Sequence, residues 1–458
     1  MRILHVVTAF PRSPDDVIVP WLVELLKRLR AAGHEVEVFT SSYRGAPDQV
    51  VSGIPVHRFR YFPRRWERLT HEEAAPDRMK RALLYRVMAV CFVVAGMVAA
   101  WRLCRRQRYD VIHVHWPFPL ALFGWAAQRA RPAPLVTTFY GVELRWVKTA
   151  MPFFRGFLKW AARRSDRVVA ISSYTADEVR ELVPVPIEVI PYTTSLPTPE
   201  ARAGQRAAGM PFTVLFVGRL VERKGVSHLV DAVSLLLPAV DVRLVIVGDG
   251  PERARIEGRI REKGLDGRVA VRGRVSEAEL QDAYAGADAF VLPAVVDRRG
   301  DTEGLGVVLL EAMNHRVPVI ASAIGGITDI VEDGVSGLLV APGDATALAA
   351  ALERLARAPD LAAGLGVVLL EAMNHRVPVI ASAIGGITDI VEDGVSGLLV
   401  PPGDAAALAA ALERLARAPD LAAGLGGAGQ ERLRERFSWE AIMRRWAEVY
   451  AAAVARQG

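Results

Sequence analysis

The sequence predicts an α/β protein made of two Rossmann-like domains with parallel sheets. Two observations carry this. Short β-branched runs alternate with longer amphipathic stretches along the whole chain, the pattern of parallel strands joined by crossover helices. The rhythm breaks at Pro191–Gly209, a stretch rich in Pro, Thr, Ala and Gly, which reads as a linker between two halves. A chain of 458 residues is long for one domain and suits two.

Taken in order, the predicted strands of the first half are Ile3–Thr8, Glu35–Phe39, Asp110–Val114, Leu135–Thr138 and Arg167–Ile171. Those of the second half are Thr213–Val217, Arg243–Val247, Ala289–Leu292 and Val317–Ser322. Helical patterns such as Val19–Ala32, Thr175–Leu182 and Gly225–Leu237 lie between them, and Thr175 and Glu178 have the spacing of a capping box. The expected domains are 1–195 and 196–437, followed by a tail, 438–458. Ligands of such sheets bind at the carboxyl ends of the strands, here in a cleft that both sheets face.

Half the residues are apolar and a quarter charged, a globular composition. Cys91 and Cys104 would point to different sides of one helix, which argues against a disulfide framework or a thiolate metal site. The amino-terminal Met-Arg-Ile-Leu-His-Val-Val reads as a buried strand rather than a signal peptide, so a cytoplasmic setting is expected. The longest uncharged apolar run, Val87–Trp101, is shorter than the roughly 20 residues of a spanning helix. It reads as a buried helix of the domain, with a helix dipping into a membrane face as the alternative. His57–Arg108 holds thirteen Arg/Lys against four Asp/Glu, a local charge of +9 in a chain of net charge +6, with Phe59, Tyr61, Phe62 and Trp66 interleaved. An anionic membrane surface is therefore a candidate partner, and a solvated basic face the competing reading. The reading includes no nucleic acid, no cofactor and no metal.

A long repeat dominates the second half. Leu305–Gly364 recurs as Leu365–Gly424, and the copies differ only at Ala341/Pro401 and Thr346/Ala406. Such a period is too long, with too few copies, for a solenoid; it reads as a recent tandem duplication, with an error in the underlying gene sequence as the alternative. Glu303 and Glu311 stand eight positions apart at the start of copy one, whereas copy two keeps Glu371 and has Ala363 in place of the first glutamate. Copy one is therefore expected to fill the site, with copy two continuing beyond it as an added α/β unit that extends the sheet edge.

Three segments carry chemistry. Phe216-Val-Gly-Arg-Leu-Val-Glu-Arg-Lys-Gly225 is a strand, a glycine turn and two cations, Arg219 and Lys224, suited to a diphosphate. Val245-Ile-Val-Gly-Asp-Gly-Pro251 is a second strand and glycine turn. Asp301-Thr-Glu-Gly-Leu-Gly-Val-Val-Leu-Leu-Glu311 places Glu303 before a Gly304-Leu305-Gly306 turn and Glu311 on the following helix. The free amides at that helix start suit an anion, and the carboxylates can accept from sugar hydroxyls.

In order and spacing these segments resemble the donor domain of the retaining glycosyltransferases of family 4, which have the GT-B fold. The family's Glu-x7-Glu signature is matched by Glu303 and Glu311, and its Gly-Arg-Leu-x-x-x-Lys-Gly run by Gly218 to Gly225. The resemblance implies that Arg219 and Lys224 hold the donor diphosphate, Glu303 the donor sugar and Glu311 the ribose. It also implies that Gly218, Gly304, Leu305 and Gly306 line the donor and that Gly273, Arg274 and Val275 line the base pocket. In the first half His113-Val-His115-Trp-Pro and Thr137-Thr-Phe-Tyr-Gly-Val-Glu143 resemble the acceptor domain more loosely. His115, Tyr140 and Glu143 are its candidate substrate groups, with a structural role as the alternative for His115 and Glu143. Many members have histidine where Tyr140 stands. The tail Phe437–Trp446 resembles the family's closing helix, which crosses back to the first half. The expected function is sugar transfer from a nucleotide-diphosphate sugar to a hydroxyl of a glycan or lipid-linked acceptor, with retention. It would serve glycolipid, polysaccharide or cell-envelope glycan synthesis, in the cytoplasm or peripherally on the inner membrane face. The alternative is a nucleotide-binding or inactive scaffold protein whose donor domain the duplication disturbs.

Overall fold

The computed structural model describes all residues except 14–15, 17, 71–77, 80–81, 150, 193–208, 332, 335, 359–377, 383–390, 402–403, 426, 429–438 and 457–458. It divides into two units: Met1–Ser195 with Ile442–Gly458, and Leu196–Ala441. Most of the expected linker, and the Ala363 and Glu371 positions of copy two, lie outside the described residues.

In the first unit β1 (Arg2–Val6), β2 (Glu35–Ser41), β3 (Gln49–Val51), β4 (Ile54–Phe59), β5 (Val111–His115), β6 (Leu135–Phe139), β7 (Arg167–Ala170) and β8 (Ile187–Val189) form one sheet. Its order is β3-β4-β2-β1-β5-β6-β7-β8, and its ladders are parallel except for the β3–β4 hairpin. β5 and β6 are buried along their whole length, as expected of strands covered on both faces. The hairpin was not anticipated. Its two-residue loop, Ser52-Gly53, has φ of 51° and 78°, the left-handed pair that closes a tight hairpin.

Among the described residues, the helices between these strands are α1 (Pro20–Ala31), α2 (Leu83–Arg106), α3 (Pro117–Ala130), α4 (Val142–Thr149), α5 (Arg155–Arg164) and α6 (Ser173–Leu182). Two expectations need correction. The Thr175/Glu178 capping box does not form. Helix α6 starts earlier, at a cap on Ser172, whose hydroxyl accepts from the Thr175 amide at 3.1 Å. Glu178 instead pairs with Arg145 at 3.0 Å. The apolar run Val87–Trp101 is not a buried helix. It is the middle of the 24-residue α2, and one side of α2 is buried while the other stays exposed. Met88, Phe92, Gly96, Ala100 and Cys104 make the buried side, at a spacing of four. At Gly96 a Cβ would stand 2.2 Å from the Phe123 ring, so this close crossing of α2 over α3 leaves no room for a side chain. Cys91 and Cys104 are both free.

The second unit contains β9 (Phe212–Val217), β10 (Val242–Val247), β11 (Val269–Gly273), β12 (Ala289–Leu292), β13 (Val319–Ser322) and β14 (Leu338–Val340). They form a parallel sheet ordered β11-β10-β9-β12-β13-β14. The chain runs outward from β9 on one side and then from β12 on the other. The switch point, where open α/β sheets take their ligands, is therefore at the carboxyl ends of β9 and β12. Helices α7 (Val226–Leu236), α8 (Arg253–Glu262), α9 (Glu277–Ala285) and α10 (Val307–Asn314) connect these strands, and α11 (Ala345–Arg357) follows β14.

Copy two does not extend this sheet. Its strands β15 (Ile380–Ser382) and β16 (Leu398–Val400) pair with each other in a separate two-stranded sheet, followed by α12 (Ala405–Arg417). The reason is where the repeat begins. It duplicates β13 and β14 but starts after β12, so the copied strands arrive without the neighbour that joins the originals to β9. They gather a small core of their own from Leu398, Val400, Ala411 and Leu425.

The last helix, α13 (Trp439–Ala455), packs on the first unit from Ile442 onward. Trp446 and Tyr450 are buried, and Arg445 and Arg456 donate to the Val189 and Asp166 carbonyls at 3.2 Å each.

Candidate functional site

In the second unit a row of turns follows the strand ends. Gly218 comes directly after β9, and its amide donates to the Val247 carbonyl at 2.9 Å. The Gly248 amide donates to the Gly273 carbonyl at 2.7 Å. At Gly248, where φ is 140°, a Cβ would lie 1.9 Å from the Gly218 carbonyl oxygen. Three consecutive βα turns thus touch through backbone alone, which only glycine permits at this position. Beyond Gly273 come Arg274, which is exposed, and Val275. Ser276 then caps α9 in a reciprocal box with Glu279.

Lys224 and Glu303 are brought together. Both are buried, and Lys224 Nζ is in ion-pair contact with Glu303 Oε2. Gly218 stands beside the lysine stem, its Cβ position 3.7 Å from Lys224 Cε. Next to them Arg223 pairs with Asp301 at 3.2 Å. The turn carrying Glu303 is held from behind by Gly325 and Gly326, where a Cβ would lie 2.1 Å from the Glu303 and Gly304 carbonyl oxygens respectively. The Gly326 amide also donates to Glu303 O at 3.1 Å. Leu305 and Gly306 are buried in the same turn, and Gly306 opens α10 with φ of 89°. Arg219 is exposed.

Glu311, on α10, accepts a hydrogen bond of 2.8 Å from Tyr284 Oη. Burial pushes its carboxyl up to about 7, against the Tyr284 hydrogen bond and the Lys224 charge, which both pull it down. Tyr284 is itself fixed by a stack on His315, 4.9 Å between ring centres. Sequence reading missed Tyr284 because it sits in an ordinary amphipathic helix, 27 residues before its partner. A cavity of about 170 Å³ lies to one side of the Glu222–Gly225 turn, lined by Val221, Val226, His228 and Ile256 among others, and none of Lys224, Glu303 or Glu311 lines it.

His115, Tyr140 and Glu143 belong to the first unit. His115 ends β5, and its Nδ1 is 2.7 Å from Tyr140 Oη. Its Nε2 is 3.0 Å from His5 Nδ1. His5 on β1 and His113 on β5 are direct register partners, so the parallel pairing sets three imidazoles on one face. His113 reaches Tyr450 Oη at 2.9 Å and Thr138 Oγ1 at 2.8 Å. Burial lowers all three histidines, His5 to about 3, so they are neutral. Among the described residues they are the one grouping whose ligand atoms approach a metal-like cluster, within 4.8 Å, but the nitrogens of His113 and His115 are already hydrogen-bonded. Tyr140 stacks on Trp116 with ring centres 4.3 Å apart, and Trp21 packs at 5.3 Å. Glu143 caps the start of α4, its Oε1 accepting from the Tyr140 amide at 2.8 Å. Burial raises its carboxyl to about 7.

Residues 197–363 match the family described as glycosyl transferases group 1, and residues 20–193 match glycosyltransferase family 4. A second group 1 match covers residues 355–418, within copy two and its approach. The chain is similar to the GDP-mannose-dependent alpha-(1-6)-phosphatidylinositol monomannoside mannosyltransferase of Mycolicibacterium smegmatis, 33% identical over 54% of this chain and 68% of the relative. It is also similar to the D-inositol 3-phosphate glycosyltransferase of Streptomyces griseus, 29% identical over 76% and 78%. In fold it resembles sucrose-phosphate synthase from Thermosynechococcus elongatus, with a TM-score of 0.59 and 24% identity over 99% of each chain.

Proposed function

The chain belongs to the family 4 glycosyltransferases of the GT-B fold, and on that premise we propose that it transfers a sugar from a nucleotide-diphosphate donor, with retention, to a hydroxyl of a glycan or lipid-linked acceptor. The observation that carries this reading is the buried Lys224–Glu303 pair at the switch point, with Glu311 on the helix that follows Glu303, held by Tyr284.

Without donor, Lys224 is neutralised by Glu303. A diphosphate competes for that cation, joined by Arg219, and frees Glu303 to accept from a hydroxyl of the donor sugar. Glu311 takes the ribose hydroxyls, and the Gly273–Val275 turn lines the base through its backbone. The amides after Gly304-Leu305-Gly306 add partial positive charge. In the transfer the bond from the anomeric carbon to the diphosphate oxygen breaks. The acceptor oxygen bonds that carbon on the same face, and its proton leaves with the diphosphate. Charge on the leaving group is the quantity the site must stabilise, and fixed cations supply such stabilisation without reorganisation. His115, Tyr140 and Glu143 are the proposed acceptor-side groups. One relative is named for a phosphatidylinositol mannoside, which favours a lipid-linked acceptor, and another for a soluble inositol phosphate, which favours a free polyol hydroxyl.

The test is release of free nucleoside diphosphate on incubation with candidate nucleotide sugars. Release that Glu303→Ala abolishes supports the proposal. Tight donor binding with no release by the unaltered protein would mean a nucleotide-binding scaffold instead.

A further inference from the structure

We propose that the exposed side of α2 is the surface by which the protein lies on an anionic lipid bilayer. The side is a continuous stripe. Leu83, Val87, Val90, Val94, Val98 and Trp101 are all exposed, from 41% at Val98 to 73% at Leu83. They recur at intervals of three and four, so they share one face of the helix. The stripe is about 27 Å long at the helical rise. Among the described residues nothing covers it.

The opposite side of α2 is locked to its own domain. Met88, Phe92, Gly96, Ala100 and Cys104 are buried there, and Gly96 meets the Phe123 ring too closely for any side chain. By length and composition alone α2 could cross a membrane. A helix held along its whole length by one side cannot do so without tearing that core open. It can lie in the plane of the interface with its free side down.

Charge selects the occupant. α2 contains Arg86, Arg102, Arg105 and Arg106 and no Asp or Glu, and all four arginines are exposed. Arg86 and Arg102 flank the stripe, and the Arg105 guanidinium lies 5.3 Å from the centre of the Trp101 ring. An indole and a cation together suit the depth of lipid headgroups. A second copy of the chain fits worse. Two-fold pairing through this stripe brings arginines against arginines, with no acid on the helix to offset them. The inference deepens the proposed lipid-linked acceptor and rests on that reading for its purpose, though not for its test.

The experiment floats the full-length protein with phosphatidylcholine vesicles, with and without phosphatidylglycerol. The protein should float with the anionic vesicles and be released by salt, as the surface term is screened. Val90→Glu with Val94→Glu should lower partitioning at least about tenfold. Arg102→Gln and Arg105→Gln should each lower it about fivefold, on anionic vesicles only. Circular dichroism melts verify that the variants are folded. Flotation that is absent, or unchanged in Val90→Glu/Val94→Glu, overturns the proposal. So does a dimer, seen by light scattering, that these changes dissolve in a protein that never floats, because the stripe is then a contact between copies. Nucleoside diphosphate release is measured without vesicles. Flotation without release would remove the enzymatic reading and leave this surface standing.

Discussion

Leu338–Arg357 and Leu398–Arg417 differ only at Ala341/Pro401 and Thr346/Ala406, and their local structures repeat almost bond for bond. Asp333 accepts from the Leu339 amide and Asp393 from the Leu399 amide, both at 2.8 Å. Asp344 caps α11 and Asp404 caps α12 through the amide three residues on, at 2.8 and 2.9 Å. The surroundings do not repeat. Leu348, Leu352 and Leu355 of α11 are buried, Leu352 completely, whereas Leu408 and Leu412 at the matching positions of α12 are 42% and 56% exposed. Caps and turns are decided within a few residues, so identical sequence remakes them. Burial depends on a partner surface, and the repeat did not copy β12 or α7.

That contrast can be broken most strongly in the cores of the two helices. Leu352→Ala should cost about 2–5 kcal/mol, the usual penalty for emptying a packed leucine site, read from a denaturant midpoint. Leu412→Ala should cost less than about 0.5 kcal/mol. Reversed costs would mean that copy two, not copy one, is packed in the donor domain.

The chemistry gives the next largest difference. Lys224→Ala should remove about 2–4 kcal/mol of transition-state stabilisation, measured as kcat/KM for nucleoside diphosphate release. Glu311→Ala should lower the same quantity at least about tenfold, and Glu371→Ala should leave it unchanged. Loss of activity in Glu371→Ala alone would give the site to copy two. Deleting Leu365–Gly424 tests the comparison as a whole. Activity should stay within about twofold, and the thermal midpoint should rise as the short connection to α13 is restored and the loop to be closed is shortened.

The smallest effect is on pH dependence. Glu311 titrates near 7 when folded and near 4.3 when unfolded, so the folded state holds its proton longer. Its contribution to stability is full below the unfolded value and is lost as pH rises to about 7. The unfolding free energy of the wild type relative to Glu311→Gln, measured from pH 4 to 8, should therefore fall through that window, while Glu371→Gln tracks the wild type. Glu143 is raised in the same direction, and the three lowered histidines act in the opposite one, so the test is the difference between variants and not the slope of either curve.

The nine strands and the alternating plan were legible because each is written in contiguous residues. The Gly218–Gly225 and Glu303–Glu311 segments were legible for the same reason, and the structure brings Lys224 and Glu303 into contact. What sequence did not reveal depends on chain partners far apart. Tyr284 matters because α9 packs beside α10. The three histidines form a cluster because β1 and β5 pair in one register. The edge strands β8 and β14, three residues each, carry too few residues to show a pattern of their own. The free face of α2 looked like half of a buried helix, since both of its sides are apolar.

The placement of α13 has a consequence for the order in which the molecule is made. Tyr450 fills a fully buried position and hydrogen-bonds His113 on β5, yet it is translated after the entire second unit. Between Ser195 and Ile442 a ribosome adding about 5–20 residues per second works for roughly 12–50 seconds. Throughout that time the histidine face of the first sheet has been synthesised and its cover has not. A nascent chain released before Ile442 should therefore keep a proteolytically resistant second unit while its first unit stays open to cleavage, the reverse of the usual amino-terminal head start.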